Sequence, residues 1–183
     1  LPIFIFLIDS ASEVTTNNFN KQKEFIKDLS AFLNLSSSGS RVAIILYASS
    51  PSLKMALGTL ETPESLSRGL DRLAPLTGTR RMDRALEFAS LKFDNKRPQA
   101  VRKIVVLFAS GKQAGGGKPL NEAVKRLQEI NAETYVVAIG SQVSESELQP
   151  VVSRRNDIIR VPSFDILASK VKPVADQIIN GTF

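Results

Sequence analysis

Four short runs along the chain are apolar at nearly every position: Pro2 to Ile8, Val42 to Tyr47, Lys103 to Phe108 and Thr134 to Ile139. They are rich in β-branched and aromatic residues and are bounded by Ser, Gly or charged residues, which predicts central strands buried on both faces. Between them the period changes. Phe19, Phe25, Ile26, Leu29, Phe32 and Leu33 recur at helical spacing, as do Leu120, Val124, Leu127 and Ile130, so each set forms one apolar stripe. Further helices are predicted over Glu64 to Leu73, Met82 to Phe93 and Phe164 to Lys172, with a weaker one over Ser146 to Val152; Asp157 to Val161 reads as the last strand. Leu53 to Leu57 follows Tyr47 too closely for a helical crossover and is expected to turn back as an antiparallel edge strand.

Strands and helices therefore alternate. The fold class that follows is α/β: a Rossmann-like, open, twisted, mainly parallel sheet with one short antiparallel edge strand and helices on both faces. A chain of 183 residues with 43% apolar content is long enough for one well-buried core. Pro173 removes a backbone donor inside the last helical pattern, and Asn180-Gly181 offers a later stop. The expected division is a compact domain over 1–172 and an extension or linker over 173–183, anchored on the domain surface by Val174, Ile178 and Ile179.

Composition narrows the chemistry. The chain has no histidine and no cysteine, which removes Ser-His and Cys-His catalysis, thiolate metal sites, disulfides and the usual near-neutral proton shuttle. No apolar run reaches the ~20 residues needed to span a bilayer, so no membrane insertion is expected. The chain starts on a strand without a targeting signal before it, as expected of a segment from a longer precursor. A formal charge of +6 favours acidic partners through attraction that salt would weaken. Its basic pairs, among them Arg80-Arg81, Lys96-Arg97 and Arg154-Arg155, are dispersed and lack interleaved aromatics, a pattern that argues against specific nucleic-acid binding. The run from Gly111 to Lys118 is Gly-rich but ends in Gly-Lys-Pro, which departs from a phosphate-binding Walker loop; it reads as a mobile loop before the helix begun at Pro119.

In an open parallel sheet the ligand crevice lies outside the carboxyl ends of the strands, where strand order reverses. Three loops belong there: Asp9-Ser10-Ala11-Ser12-Glu13, the segment Thr77 to Arg84, and Ala109-Ser110-Gly111-Lys112. An Asp9/Glu13 carboxylate pair also permits acid-base catalysis in principle, although capping of a helix start is the more ordinary role for such an aspartate.

The order of these loops resembles a von Willebrand factor A domain, whose first strand ends in Asp-x-Ser-x-Ser, followed by a Gly-x-Thr-x-Thr-like loop and a later strand ending in Thr-Asp-Gly. The layout is similar over nearly the whole chain, and it is most similar to the cysteine-poor tandem A domains of collagen VI chains. In metal-binding members the resemblance implies a magnesium ion held by oxygen ligands. Here Asp9 matches the first aspartate, but the two serine positions fall on Ala11 and Glu13, the threonine on Arg80 and the later aspartate on Ser110. Ser10, Ser12 and Ser110 retain hydroxyls, yet Arg80 places a permanent cation near the expected ion. The resemblance thus implies a degenerate metal-ion-dependent adhesion site, with no metal and no cofactor, in which Arg80 or Arg81 neutralises Asp9 or Glu13 in solvent-exposed pairs.

The implied function is a non-catalytic, secreted, extracellular-matrix interaction module, part of a collagen VI-like tandem chain. Its expected partners are matrix proteins or acidic polysaccharide and neighbouring A domains, with Arg80, Arg81, Lys96, Arg97, Arg154 and Arg155 as candidate contacts. An intracellular A-type scaffolding domain is the alternative. The sequons at Asn34 and Asn180 permit glycosylation in the secretory setting.

Overall fold

The computed structural model describes residues 1–59, 62–93 and 101–181. Six strands form one sheet in the order β3-β2-β1-β4-β5-β6, with β1 at Ile3–Asp9, β2 at Arg41–Tyr47, β3 at Pro51–Met55, β4 at Lys103–Ala109, β5 at Glu133–Ile139 and β6 at Ile158–Val161. All neighbours are parallel except β2 and β3. The antiparallel edge thus lies a little earlier than Leu53 to Leu57, with a register shift opposite Ile44/Ile45. The turn of Ala48 to Ser50 is tight enough to start the return strand at once.

Alternate residues of each strand enter two cores because successive side chains point to opposite faces. Phe4, Phe6, Ile8, Val106 and Phe108 pack beneath α1 (Thr16–Ser30), α2 (Pro63–Asp71) and α7 (Val171–Asn180). Ile3, Ile5, Leu7, Tyr47 and Leu107 pack beneath α3 (Met82–Ser90), α4 (Leu120–Ala123) and α5 (Lys125–Glu129), with Leu148 of α6 (Glu145–Leu148) on the same side. The helix start signals are local: Thr15 and Thr62 accept from the backbone of Asn18 and Ser65, and Thr62 and Ser65 form a reciprocal capping box.

Three expectations change. The stripe from Leu120 to Ile130 is not one helix but two short ones that meet at Val124; its buried positions, Leu120, Ala123, Val124 and Leu127, still share a core. Phe164 to Lys170 forms a 3-10 helix, which the 3.6-residue period does not distinguish from an α-helix. Residues 173–181 are not a peripheral extension, because α7 inserts Val174, Ala175 and Ile178 into the core as fully as any other helix. Pro173 occupies the first turn of α7, where a backbone donor has no intrahelical partner to lose. The end of α7 is pinned by Arg102, whose guanidinium donates to the carbonyls of Ile178 and Ile179 at 2.8 Å each and to both oxygens of Glu133 at 2.7 Å.

Candidate functional site

Strand order reverses between β1 and β4, so the chain leaves the sheet in opposite directions after Asp9 and after Ala109. The crevice this opens is the expected ligand position in a doubly wound sheet. Gln22 of α1 bridges the backbone of Asp9, accepting from its N–H and donating to its carbonyl at 2.9 Å each. This satisfies both groups where the β1–β4 pairing stops at Leu7, and it holds the Asp9 carboxylate in the crevice.

The loops at 10–13 and 76–80 are zipped together. Ser12 N–H donates to the Gly78 carbonyl at 2.8 Å, Gly78 N–H to Ser12 Oγ at 2.5 Å, Leu76 N–H to Ser10 Oγ at 2.5 Å and Thr77 N–H to the Ser10 carbonyl at 3.1 Å. Gly78 sits at φ 127°, a conformation open to glycine, and a Cβ there would stand 2.5 Å from Ser49 Oγ.

Arg80 lies at the centre. Its Nε donates to Asp9 Oδ2 at 2.8 Å, Nη1 donates to Glu13 Oε1, and Nη2 donates to Ser110 Oγ at 3.1 Å. The second Asp9 oxygen position is shared: Ser110 donates to Oδ2 through N at 2.9 Å and Oγ at 2.8 Å, while Oδ1 accepts from Ala11 N at 3.3 Å. Arg80 and Asp9 are each 1% exposed at the side chain, whereas Glu13 is 70% exposed. The pair expected in solvent is therefore a buried one. Burial alone would lower the guanidinium pKa, but Asp9, Tyr47 and Glu13 outweigh it and hold Arg80 above its ordinary range. Burial, with the nearby charge of Asp9, pushes the Tyr47 phenol well above its own, so its hydroxyl remains a donor, directed at the Phe108 carbonyl.

Gly111 makes room for this arrangement. It carries no positive φ, yet a Cβ at that position would fall 2.3 Å from Arg80 Nη1, 3.0 Å from Cζ and 3.3 Å from Glu13 Oε1. An open pocket beside the guanidinium is lined by Ser12, Glu13, Thr79, Lys112 and Ala114.

The remaining expected contacts separate. Arg81 does not reach Asp9 or Glu13; it grips Asp83 through Nε at 2.9 Å and Nη2 at 2.8 Å. Burial would raise the Asp83 carboxyl pKa, but Arg81 and the Lys118 N–H, donating at 2.8 Å, bring it below the usual range. Gln113 joins the same network: its Oε1 accepts from Asp83 N at 2.7 Å, its Nε2 donates to the Lys118 carbonyl at 2.9 Å, and its own N–H donates to Glu147 at 2.9 Å. The Gly-rich loop, expected to hang free, is thus tied at both ends. Arg154 pairs with Asp157 at 3.2 Å and Arg155 with Glu145 at 2.8 Å. Lys96 and Arg97 lie outside the described residues. The pattern of apolar residues carried no signal for Gln22, Gln113 or Glu147, polar side chains whose partners are distant in sequence; it placed Tyr47 in a strand and Asp83 in the 77–84 loop, but not the contacts of Tyr47 to Phe108 or of Asp83 to Gln113 and Lys118.

The oxygen donors that a magnesium ion would need are already engaged. Asp9 Oδ2 faces three donors, Ser10 and Ser12 hydroxyls accept from backbone N–H groups, and a buried guanidinium bridges Asp9, Glu13 and Ser110. The residues present do not fit an octahedral ion with retained water.

Fold and crevice together define a doubly wound α/β domain with its polar site at the strand-order switch. More specifically, the chain belongs to the von Willebrand factor type A domain family, whose model matches residues 4–172. Among similar proteins, the collagen alpha-1(XXI) chain of Xenopus laevis is 23% identical over 94% of this chain and 18% of its own length. Cuticlin-6 of Caenorhabditis elegans is 25% identical over 89% and 28%, and matrilin-1 of Gallus gallus 24% identical over 81% and 30%. The chain thus spans less than a third of these relatives. The structure of proximal thread matrix protein 1 from the mussel byssus, with a zinc-occupied MIDAS motif, superposes with a TM-score of 0.88 at 21% identity, over 96% of this chain and 47% of that one.

Proposed function

We propose that this domain is a non-catalytic protein-interaction module of the extracellular matrix, carried in a longer secreted chain beside further A domains, and that it binds its partner without a divalent ion. Membership of the family supports the interaction role, and the collagens, matrilin and thread matrix protein among its relatives support the matrix setting. Within that group, the cysteine-free composition favours a collagen VI-like tandem chain, of which an alpha-3-type chain is the particular form proposed. The observation that carries ion independence is Arg80, buried against Asp9 where the family's ion would need oxygen ligands. No histidine or cysteine is available for nucleophilic or proton-transfer chemistry.

Electrostatic attraction of an acidic matrix protein or polysaccharide rests on cations that the fold leaves free. Arg80 and Arg81 are consumed internally, and Arg154 and Arg155 have carboxylate partners. Among the described residues, the cations without a carboxylate partner include Arg41, Lys103, Lys112, Lys125 and Arg126, which makes these stronger candidates than the paired arginines. Asn34 is exposed on the turn between α1 and β2 and is a glycan acceptor in the secreted reading; an unmodified Asn34 in native material favours the intracellular scaffolding alternative. The test is a binding screen against immobilised matrix components in EDTA, in magnesium and at graded salt. Binding that survives EDTA and weakens with salt is expected; binding abolished by EDTA, or absent for every matrix component, overturns the reading.

A further inference from the structure

We infer that Arg80 is a tethered internal cation standing in for a divalent ion, and that its guanidinium covers a latent metal site which its removal would open. The inference shares the ion-independent reading of the crevice above but requires no partner. Four features of the crevice point to it.

The first is charge. Two carboxylates, Asp9 and Glu13, converge on one cation that is itself 1% exposed at the side chain. The second is reach: the guanidinium contacts the loop after β1 through Asp9 and Glu13 and the loop after β4 through Ser110, while its own backbone belongs to the loop before α3. One side chain therefore joins all three loops of the crevice, as a multidentate ion would. The third is Ser110, which donates to Asp9 and accepts from Arg80. A hydroxyl can do both, whereas a carboxylate at this position would only accept. The fourth is Gly111, whose missing Cβ leaves the space that Nη1 and Cζ fill. A hydrated ion is replaceable and varies with its surroundings, but an arginine is covalently held and always charged. The consequence is a crevice whose three loops keep one arrangement whatever the divalent-ion concentration.

Removing the guanidinium would leave Asp9, Glu13 and Ser110 around an emptied, hydrated space with two uncompensated carboxylates. Arg80→Thr adds a hydroxyl there, and four oxygen-bearing side chains plus water form a hard-donor set suited to manganese or magnesium.

The experiment follows thermal unfolding of the whole domain in 5 mM EDTA, MgCl2 or MnCl2, using wild type, Arg80→Thr and Arg80→Lys. Wild type is expected to shift by less than about 1 °C among the three buffers. R80T should melt about 10 °C lower in EDTA, since one partner of a buried pair is lost, and recover at least half of that loss in MnCl2. R80K retains a charge but cannot span the three acceptors, so it should fall between the two and ignore the ions. Wild type stabilised several degrees by either ion, R80T as stable as wild type in EDTA, or R80T destabilised yet blind to both ions would each overturn the inference. If R80T fails to fold in EDTA, refolding yield with and without MnCl2 replaces the melting shift, and a yield unchanged by the ion is the overturning result.

Discussion

Replacing Gly111 by alanine isolates the packing of Arg80 from its charge. A new Cβ would stand 2.3 Å from Nη1, so the guanidinium must retreat by about 1 Å to regain ordinary van der Waals separation. The neighbour is the far end of a long side chain, which elsewhere would move at little cost. Here it is buried and held by Asp9, Glu13 and Ser110, and a 1 Å retreat stretches the 2.8 Å Nε contact to Asp9 beyond hydrogen-bonding range. Losing one charge-assisted hydrogen bond costs roughly 1.5–3 kcal/mol, and forcing atoms into a packed interior about 1–3 kcal/mol. These losses overlap, so a net destabilisation of about 3 kcal/mol is expected. Urea denaturation measures it, with an unchanged m-value showing that the unfolded state is unaffected. Gly115→Ala is the control, because nothing lies within 4 Å of its Cβ and its φ is not positive. In an Arg80→Ala background the clash disappears and Gly111→Ala should become nearly neutral, giving a coupling of about 2–3 kcal/mol in the double-mutant cycle. A Gly111→Ala loss below about 0.5 kcal/mol, or one equally large without Arg80, would refute the reasoning.

Arg102→Ala should free the end of α7 by removing the donors to the Ile178 and Ile179 carbonyls; we expect a loss of about 1–2 kcal/mol and faster amide exchange in the last turn of α7, with the β1 and β4 amides unchanged. Asp83 and Glu133 both have pKa values below their usual range in the folded protein, set by burial that opposes ionisation and by Arg81 and Arg102 that outweigh it. Their stabilisation is therefore present above the unfolded-state carboxylate values of about 4 and is lost as pH falls through the lowered folded values. Asp83→Asn should flatten that acid limb of the stability curve, and an acid limb as steep as that of wild type would count against the assignment. For partner binding, charge reversal at Lys125 and Arg126 should slow association at low salt more than reversal at Arg154 and Arg155, whose charges already face Asp157 and Glu145; an equal slowing by both pairs would remove the distinction.

The apolar runs were enough to find the central strands and to make the sheet mainly parallel, because a strand buried on both faces must be apolar throughout and helical crossovers join parallel strands. The loops after Ile8 and Phe108 were picked out as the ones to inspect, but the strand order that reverses between β1 and β4 was decided by the tertiary structure, because alternation alone does not say which parallel strands become neighbours. Asp9, Ala11, Glu13, Arg80 and Ser110 were legible as a departure from the family's ligand pattern because those positions are set by their place in each loop. Residue identity alone left open which arginine turned inward. Tertiary structure decided that Arg80 enters the crevice while Arg81 takes Asp83, since the choice depends on loop curvature and on the space at Gly111. It also converted an expected solvent-exposed pair into a buried one, and drew α7 into the core despite Pro173, because burial is a property of the assembled layers and proline in a first turn loses no hydrogen bond. Local pattern determined which elements form and where their loops gather; the partners of buried polar groups, from Gln22 on Asp9 to Gln113 on Asp83, were decided only when distant segments met and each desolvated donor or acceptor required a partner.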